Sequence, residues 1–154
     1  MAKLGIRLNT SNGGLSQISD WDFNSFTVFG TEPYAANSTE GVCKLCGNSD
    51  NGRKINSVIV TPYGDYSLGH NKRLRGLYVS GYAADSISIE QRTEYDSYTE
   101  NITIPEYHTN LRCNGNRKLQ GVNWQFVIKN VDGCDFAIRN LSALFVVLTR
   151  TRGK

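Results

Sequence analysis

The chain has 154 residues, 39% of them apolar, with 17 basic and 14 acidic side chains. That length allows one domain with a core of its own, so folding requires neither a metal nor a disulfide. A net charge of +3 excludes a dedicated polycation, and the most apolar run, residues 143–148, is far short of the roughly 20 residues a membrane helix needs.

Gly and Asn are abundant, at 15 each, and the 8 Tyr outnumber the 6 Phe, while Met occurs once and Pro three times. This is the composition of many short strands joined by polar loops, and helix formers are concentrated in no helix-length window. The first fourteen residues hold no apolar run of signal-peptide length. Synthesis and assembly in a cytoplasm are therefore expected, with no membrane partner, and structural disulfides are disfavoured there. The charge is uneven: residues 1–51 hold 3 basic against 5 acidic side chains, and residues 52–154 hold 14 against 9. Such a bias permits an acidic or nucleic-acid partner without demanding one.

In chain order, residues 4–8 alternate as a first strand, 9–14 are a turn-rich break, and 15–24 show no clear period. Residues 25–29 put Phe26 and Val28 on one strand face and Thr27 and Phe29 on the other. Residues 30–52 read as a long polar loop or insertion. Strands are expected at 55–61, 76–82, 86–91 and 101–104, the first and last of them closed by Pro62 and Pro105. Residues 63–75, 93–100 and 107–118 read as loops. Toward the end, Val122, Trp124, Phe126 and Ile128 share one face by period two. A Val131-Asp132-Gly133 turn suggests a short hairpin. Phe136 and Ile138 mark a second strand, and 144–148 a third that is apolar on both faces and so suits a covered central strand. About nine short strands with long polar loops predict an all-β fold, an antiparallel, jelly-roll-like β-sandwich. The whole of 1–154 reads as one such domain, with 1–24 as a possible docking arm and 30–52 as a long loop.

Chemistry-bearing patterns are sparse. Cys43-Lys-Leu-Cys46-Gly47 has the spacing by which two thiolates reach one zinc. A complete site needs two more ligands, from Cys113, Cys134, His70 or His108, and no second paired motif supplies them. Glu90, Glu94, Asp96 and Glu100 form an acidic cluster interleaved with Tyr95 and Tyr98, and it lacks a calcium-loop pattern. Basic residues gather at Lys72, Arg73 and Arg75, again at Arg112, Arg117 and Lys118, and at Arg150 and Arg152. Basic groups beside Tyr63, Tyr66, Tyr78 and Tyr82 have the chemistry to hold phosphates and stack bases. The octamer Arg75–Tyr82, however, fails the RNA-recognition pattern at Leu77, Tyr78, Val79 and Ser80, so nucleic acid is not an expected partner. No nucleophile elbow and no His-Glu-x-x-His motif occurs, so no enzyme is expected.

Loops rich in Tyr, Ser, Gly and Asn suit recognition surfaces. Taken with the strand pattern and the polar arms, the chain resembles the small β-sandwich proteins of tailed bacteriophage particles: capsid decoration, head-fibre and tail-accessory proteins. The likeness is of overall style, and no motif carries it. It implies a non-enzymatic virion component that binds a neighbouring capsid or tail protein, forms a trimer or higher homo-oligomer, and localises to the virion. Trp21, Tyr95, Tyr98, Arg150 and Arg152 are the candidate contact residues. Two alternatives stand beside it. One is a carbohydrate-binding module that stacks Trp21 on a glycan. The other is a small hydrolase built on the acidic loop or a histidine.

Overall fold

The structure is a computed structural model that describes residues 4–11, 13–19, 22–47, 49–50, 52–105 and 111–148. These residues divide between two compact units, Met1–Gly47 and Asn48–Lys154. All fourteen regular elements among them are β-strands, paired antiparallel throughout.

In the first unit, β1 (Leu4–Leu8) and β2 (Leu15–Ser19) form a hairpin, and β3 (Ser25–Phe29), β4 (Glu32–Asn37) and β5 (Gly41–Lys44) form a meander. Local turn chemistry sets both. Asn9 Oδ1 accepts the Ser11 N–H at 3.0 Å, and Asn9 N–H donates to the Gly14 carbonyl at 2.8 Å. The two-residue β3–β4 turn begins at Gly30, whose φ of +66° is the left-handed conformation such a hairpin turn demands at its first position. Two sequence expectations are corrected here. Residues 15–24, read as aperiodic, contain β2, and the long loop at 30–52 contains β4 and β5. Hydrophobic alternation missed them because burial does not hold these strands: Ala35 is the only core hydrophobic among the described residues of this unit.

The second unit opens with a minimal hairpin, β6 (Ser49–Asp50) and β7 (Arg53–Lys54), and continues with β8 (Val58–Val60), β9 (Lys72–Ala83), β10 (Ser86–Thr93), β11 (Ser97–Thr103), β12 (Leu111–Asn114), β13 (Trp124–Asn130) and β14 (Phe136–Val147). A four-stranded sheet runs β11-β10-β13-β8 and a three-stranded sheet runs β12-β9-β14. They pack face to face as a β-sandwich. One core joins Leu74, Leu77 and Val79 of β9 and Cys113 of β12 with Ile87 and Ile89 of β10 and Trp124, Phe126 and Ile128 of β13. The inward period-two face expected at Trp124, Phe126 and Ile128 is buried to 1% exposure or less.

Further readings change here. The segment from Phe136 to Val147 is one twelve-residue strand, not two. It is an edge strand paired only with β9, so its two apolar faces do not mark a covered centre; Leu144 is 45% exposed. The 131–133 turn does not close a hairpin, because β13 and β14 lie in different sheets. Instead, Val131 N–H donates to the Ser86 carbonyl and Ala84 N–H to Asp135, which carries the chain across the sandwich. Finally, β11 extends the strand expected at 101–104 back into the expected loop at 93–100, β9 begins within the expected loop at 63–75, and β12 lies in the expected loop at 107–118. Both β11 and β12 alternate polar and apolar residues with one face to the core.

Candidate functional site

The outer face of the three-stranded sheet is built around a shift of strand parity. Along β9, Lys72 and Leu74 point inward, and so do Leu77, Val79, Gly81 and Ala83. The inward set moves by one residue because the β9–β14 register slips: Leu144 pairs with Gly76 and Phe145 with Leu74, which leaves Arg75 as an extra residue. Bulges of this kind re-aim side chains. Here the bulge turns Arg73 and Arg75 outward with Tyr78, Ser80 and Tyr82 beyond them on the same strand.

On the other side of β9, the β12 pairing sets Arg112 opposite Tyr78 and Asn114 opposite Gly76. Gly76 keeps the floor clear: a Cβ there would lie 3.1 Å from Arg112 Nε. Arg112 Nη2 donates to the Arg75 carbonyl at 3.3 Å, which ties the two basic strands together. Arg117 follows from the turn after β12. The result is a groove of about 780 Å³ lined by Arg73, Leu74, Arg75, Arg112, Asn114, Gly115, Arg117 and Val146. None of these is acidic, and none of the four arginines has an ion pair among the described residues. Four unneutralised guanidinium groups around one depression attract anions and hold them in bidentate geometry.

A second opening is apolar. Thr61, Pro62, Tyr66 and Leu68 face Phe126 and the inward side chains of β14 (Leu141, Ala143, Phe145) around about 520 Å³. It lies where both sheets end in edge strands. The β8 edge is three β-branched residues, Val58, Ile59 and Val60, all more than 40% exposed.

Between these features Lys72 is wholly buried. Its ammonium donates to the Leu68 carbonyl at 2.9 Å and to the Val122 carbonyl, and sits 5.5 Å from the Phe145 ring centre. Burial holds its pKa below the ordinary lysine value, against the pull of Asp65 and Glu94. It fastens two loops to the end of the sandwich.

Two members of the acidic cluster, Glu90 and Glu94, are tied up in the scaffold. Glu90 takes Arg92 in a bidentate pair at 2.7 and 2.8 Å, with Lys129 at 3.8 Å. Glu94 accepts the Val122 and Asn123 N–H groups at 2.7 and 3.0 Å. Partial burial pushes the Glu94 carboxyl up, but these hydrogen bonds and Lys72 outweigh it and hold the group below its ordinary value of 4.5. A carboxyl whose pKa is lowered by folding stabilises the fold above its unfolded value and ceases to as pH falls through its folded value. Glu94→Gln is therefore expected to lower stability by about 1 kcal/mol at pH 7, an amount discounted for solvent exposure. The gap from the parent should narrow as the pH falls from 7 to 3. Urea unfolding at the two pH values checks this, and a gap as wide at pH 3 as at pH 7 contradicts it.

The other sequence candidates scatter. Tyr95 stands at the β10–β11 turn, 82% exposed. Tyr98 is turned inward, half-buried and packed on the core, which does not suit a surface contact. Cys43 is half-buried on β5 and Cys46 exposed beyond it. No group of three or more His, Cys, Asp or Glu side chains converges among the described residues, so the zinc reading gains no further ligand there. Cys113 is a core thiol, pushed up to about 11 by burial and then by Glu100. His70 is exposed in the 61–71 loop. Trp21, His108, Arg150 and Arg152 lie outside the described residues. The fold and its grooves define an all-β antiparallel sandwich with one anion-attracting face and one open apolar side. No protein-family model, curated protein or solved structure matches this chain.

Proposed function

We propose that this is a non-enzymatic structural and interaction protein of a viral particle, which docks on a neighbouring capsid or tail protein and assembles with copies of itself. One observation carries the reading: the first unit presents apolar strands with almost no core. Leu4, Ile6, Leu8, Leu15, Val28 and Phe29 are all 57–79% exposed. A two-stranded hairpin and a three-stranded meander cannot stand alone in water on that basis, and exposed apolar surface of this kind marks an interaction site.

The sandwich supports the same reading. Every connection from β8 to β14 except β10–β11 passes from one sheet to the other. This connectivity supports the jelly-roll reading, with one strand missing at the β14 edge, and jelly rolls are a common architecture of capsid and lectin domains. The viral assignment rests on fold-level analogy. An apolar opening bordered by the edge strands β8 and β14 suits a strand contributed by a neighbour.

Native mass spectrometry of the full chain tests this reading. A closed trimer or higher oligomer is expected, and a strict monomer at high micromolar concentration overturns self-assembly. A glycan-binding reading has one observation in its favour. Partial burial raises the Tyr63 hydroxyl above its ordinary value, followed by Glu94 and Tyr95, and both tyrosine rings are exposed.

A further inference from the structure

We propose that the arginine-lined face of β12-β9-β14 binds single-stranded nucleic acid, with the arginines on backbone phosphates and Tyr78 and Tyr82 under the bases. The groove gathers Arg73, Arg75, Arg112 and Arg117 with no acidic side chain in its lining. All four cations are arginine, whose planar fork matches a phosphate in two hydrogen bonds. A general electrostatic surface would mix lysine with arginine and carry acids between them.

The groove also has a direction. From Arg73 and Arg75 the outward side of β9 continues through Tyr78, Ser80 and Tyr82. At roughly 3.3 Å per residue the two rings lie about 13 Å apart along the strand. Arg112 sits beside Tyr78 in the β12–β9 register. Asn140 and Ser142 of β14 pair with Ser80 and Tyr78 and supply donors and acceptors on the flank. Charge at one end and half-buried rings along one line form a track for a flexible strand whose bases are free to stack. A rigid duplex is read by a helix or a β-ribbon inserted in its major groove, whereas the arginine groove lies on the face of a three-stranded sheet. A sulfated glycan would engage the same arginines, and the heparin arm of the test separates the two.

The test is fluorescence anisotropy of a labelled twenty-nucleotide oligothymidine titrated with the full chain at several salt concentrations. Binding is expected at 50 mM salt. The slope of log K against log salt should be near −3, from about 0.7 per phosphate over four contacts. Arg73→Gln with Arg75→Gln should weaken binding at least tenfold and make the slope shallower by about 1 to 1.5. Tyr82→Ala should weaken it about five- to tenfold and leave the slope unchanged, as lost stacking would. Arg53→Gln, at an exposed position on β7, should change neither. All four substituted side chains lie outside the core, and circular dichroism of each variant checks that it is folded.

The proposal is overturned by no binding at 50 mM salt, or by binding that ignores the arginine pair. It is equally overturned if a duplex competes as well as the single strand, or if heparin binds in an arginine-dependent way while the oligonucleotide does not. That last outcome would assign the groove to a sulfated glycan.

Discussion

Trp124→Ala is expected to destabilise the sandwich severely. The indole is wholly buried at the meeting point of both sheets. It stacks on Phe126 with ring centres 6.4 Å apart and lies 5.4 Å from Phe145. Its Nε1–H donates to the Gly121 carbonyl at 3.1 Å, and its backbone exchanges hydrogen bonds with Gly64 at 2.8 and 3.1 Å. Truncating a buried tryptophan costs about 3–5 kcal/mol through lost transfer energy and the cavity left behind. The substitution also removes the indole hydrogen bond, while the Gly121 carbonyl keeps the Lys72 N–H at 3.0 Å. Against a total of about 5–15 kcal/mol for a domain, this is a large share of the stability, and the thermal midpoint should fall by about 15–30 °C. Trp124→Phe, which keeps most of the volume, should cost about 1–2 kcal/mol. Near-ultraviolet circular dichroism on heating reads both. A loss below about 1 kcal/mol for the alanine variant would mean that the two sheets do not close on this residue.

How much of this was legible in the sequence depends on what holds each strand. Trp124, Phe126 and Ile128 were readable because a half-buried strand writes its core face in every second residue. The fold class followed from several such segments and from the absence of any helical window. The strands β4 and β5 left no such mark. Turns at Gly30 and Gly41, with φ of +66° and +78°, and main-chain pairing define them, and neither appears as apolar periodicity. β14 misled for a different reason. The run from Leu144 to Val147 is apolar on both faces, which reads as central, yet the strand is an edge with one face on the core and the other exposed.

The candidate site shows the same division. Arg73 and Arg75 were visible as one basic cluster, and Arg112 and Arg117 as another 37 residues later. Their meeting depends on a single antiparallel pairing, Arg112 with Tyr78, between the expected strand at 76–82 and a segment that reads as a loop. Local sequence holds no record of such a register. The bulge at Arg75 was equally hidden. It shows only as a break of parity between Leu74 and Leu77, and in the sequence that break reads as the end of a loop. The acidic cluster drew attention as possible chemistry because charge is conspicuous in a sequence, whereas the backbone N–H groups of Val122 and Asn123 that hold Glu94 are not.

Gly81→Ala is expected to detach β14 from β9 at its first half, although it adds one methyl group. A Cβ built on Gly81 falls 2.1 Å from the Ala137 carbonyl oxygen and 3.1 Å from Ile138 Cα. The obstacle is main chain, so no rotamer change relieves it. The strands come this close where the register shifts between Ile138 and Asn140, which leaves Arg139 as the extra residue of a bulge. Either β14 moves outward, which breaks the pairs from Phe136 to Ile138, or the register slips by one and turns the half-buried Phe136 and Ile138 away from the core they pack on. Overpacking costs about 1–3 kcal/mol where side chains can adjust, and a backbone obstacle places this one at about 3 kcal/mol or above. Gly64 supplies the control. It pairs across a β-bridge with Trp124, has nothing within 4 Å of a built Cβ, and its alanine variant should cost less than about 1 kcal/mol. Amide hydrogen exchange separates local from global effects. In Gly81→Ala, protection should fall first at residues 136–138 and at 81–83, while β10 and β13 keep theirs until the whole sandwich opens. Equal losses for the two alanine variants would show that the β9–β14 contact at Gly81 is looser than its 2.1 Å approach requires.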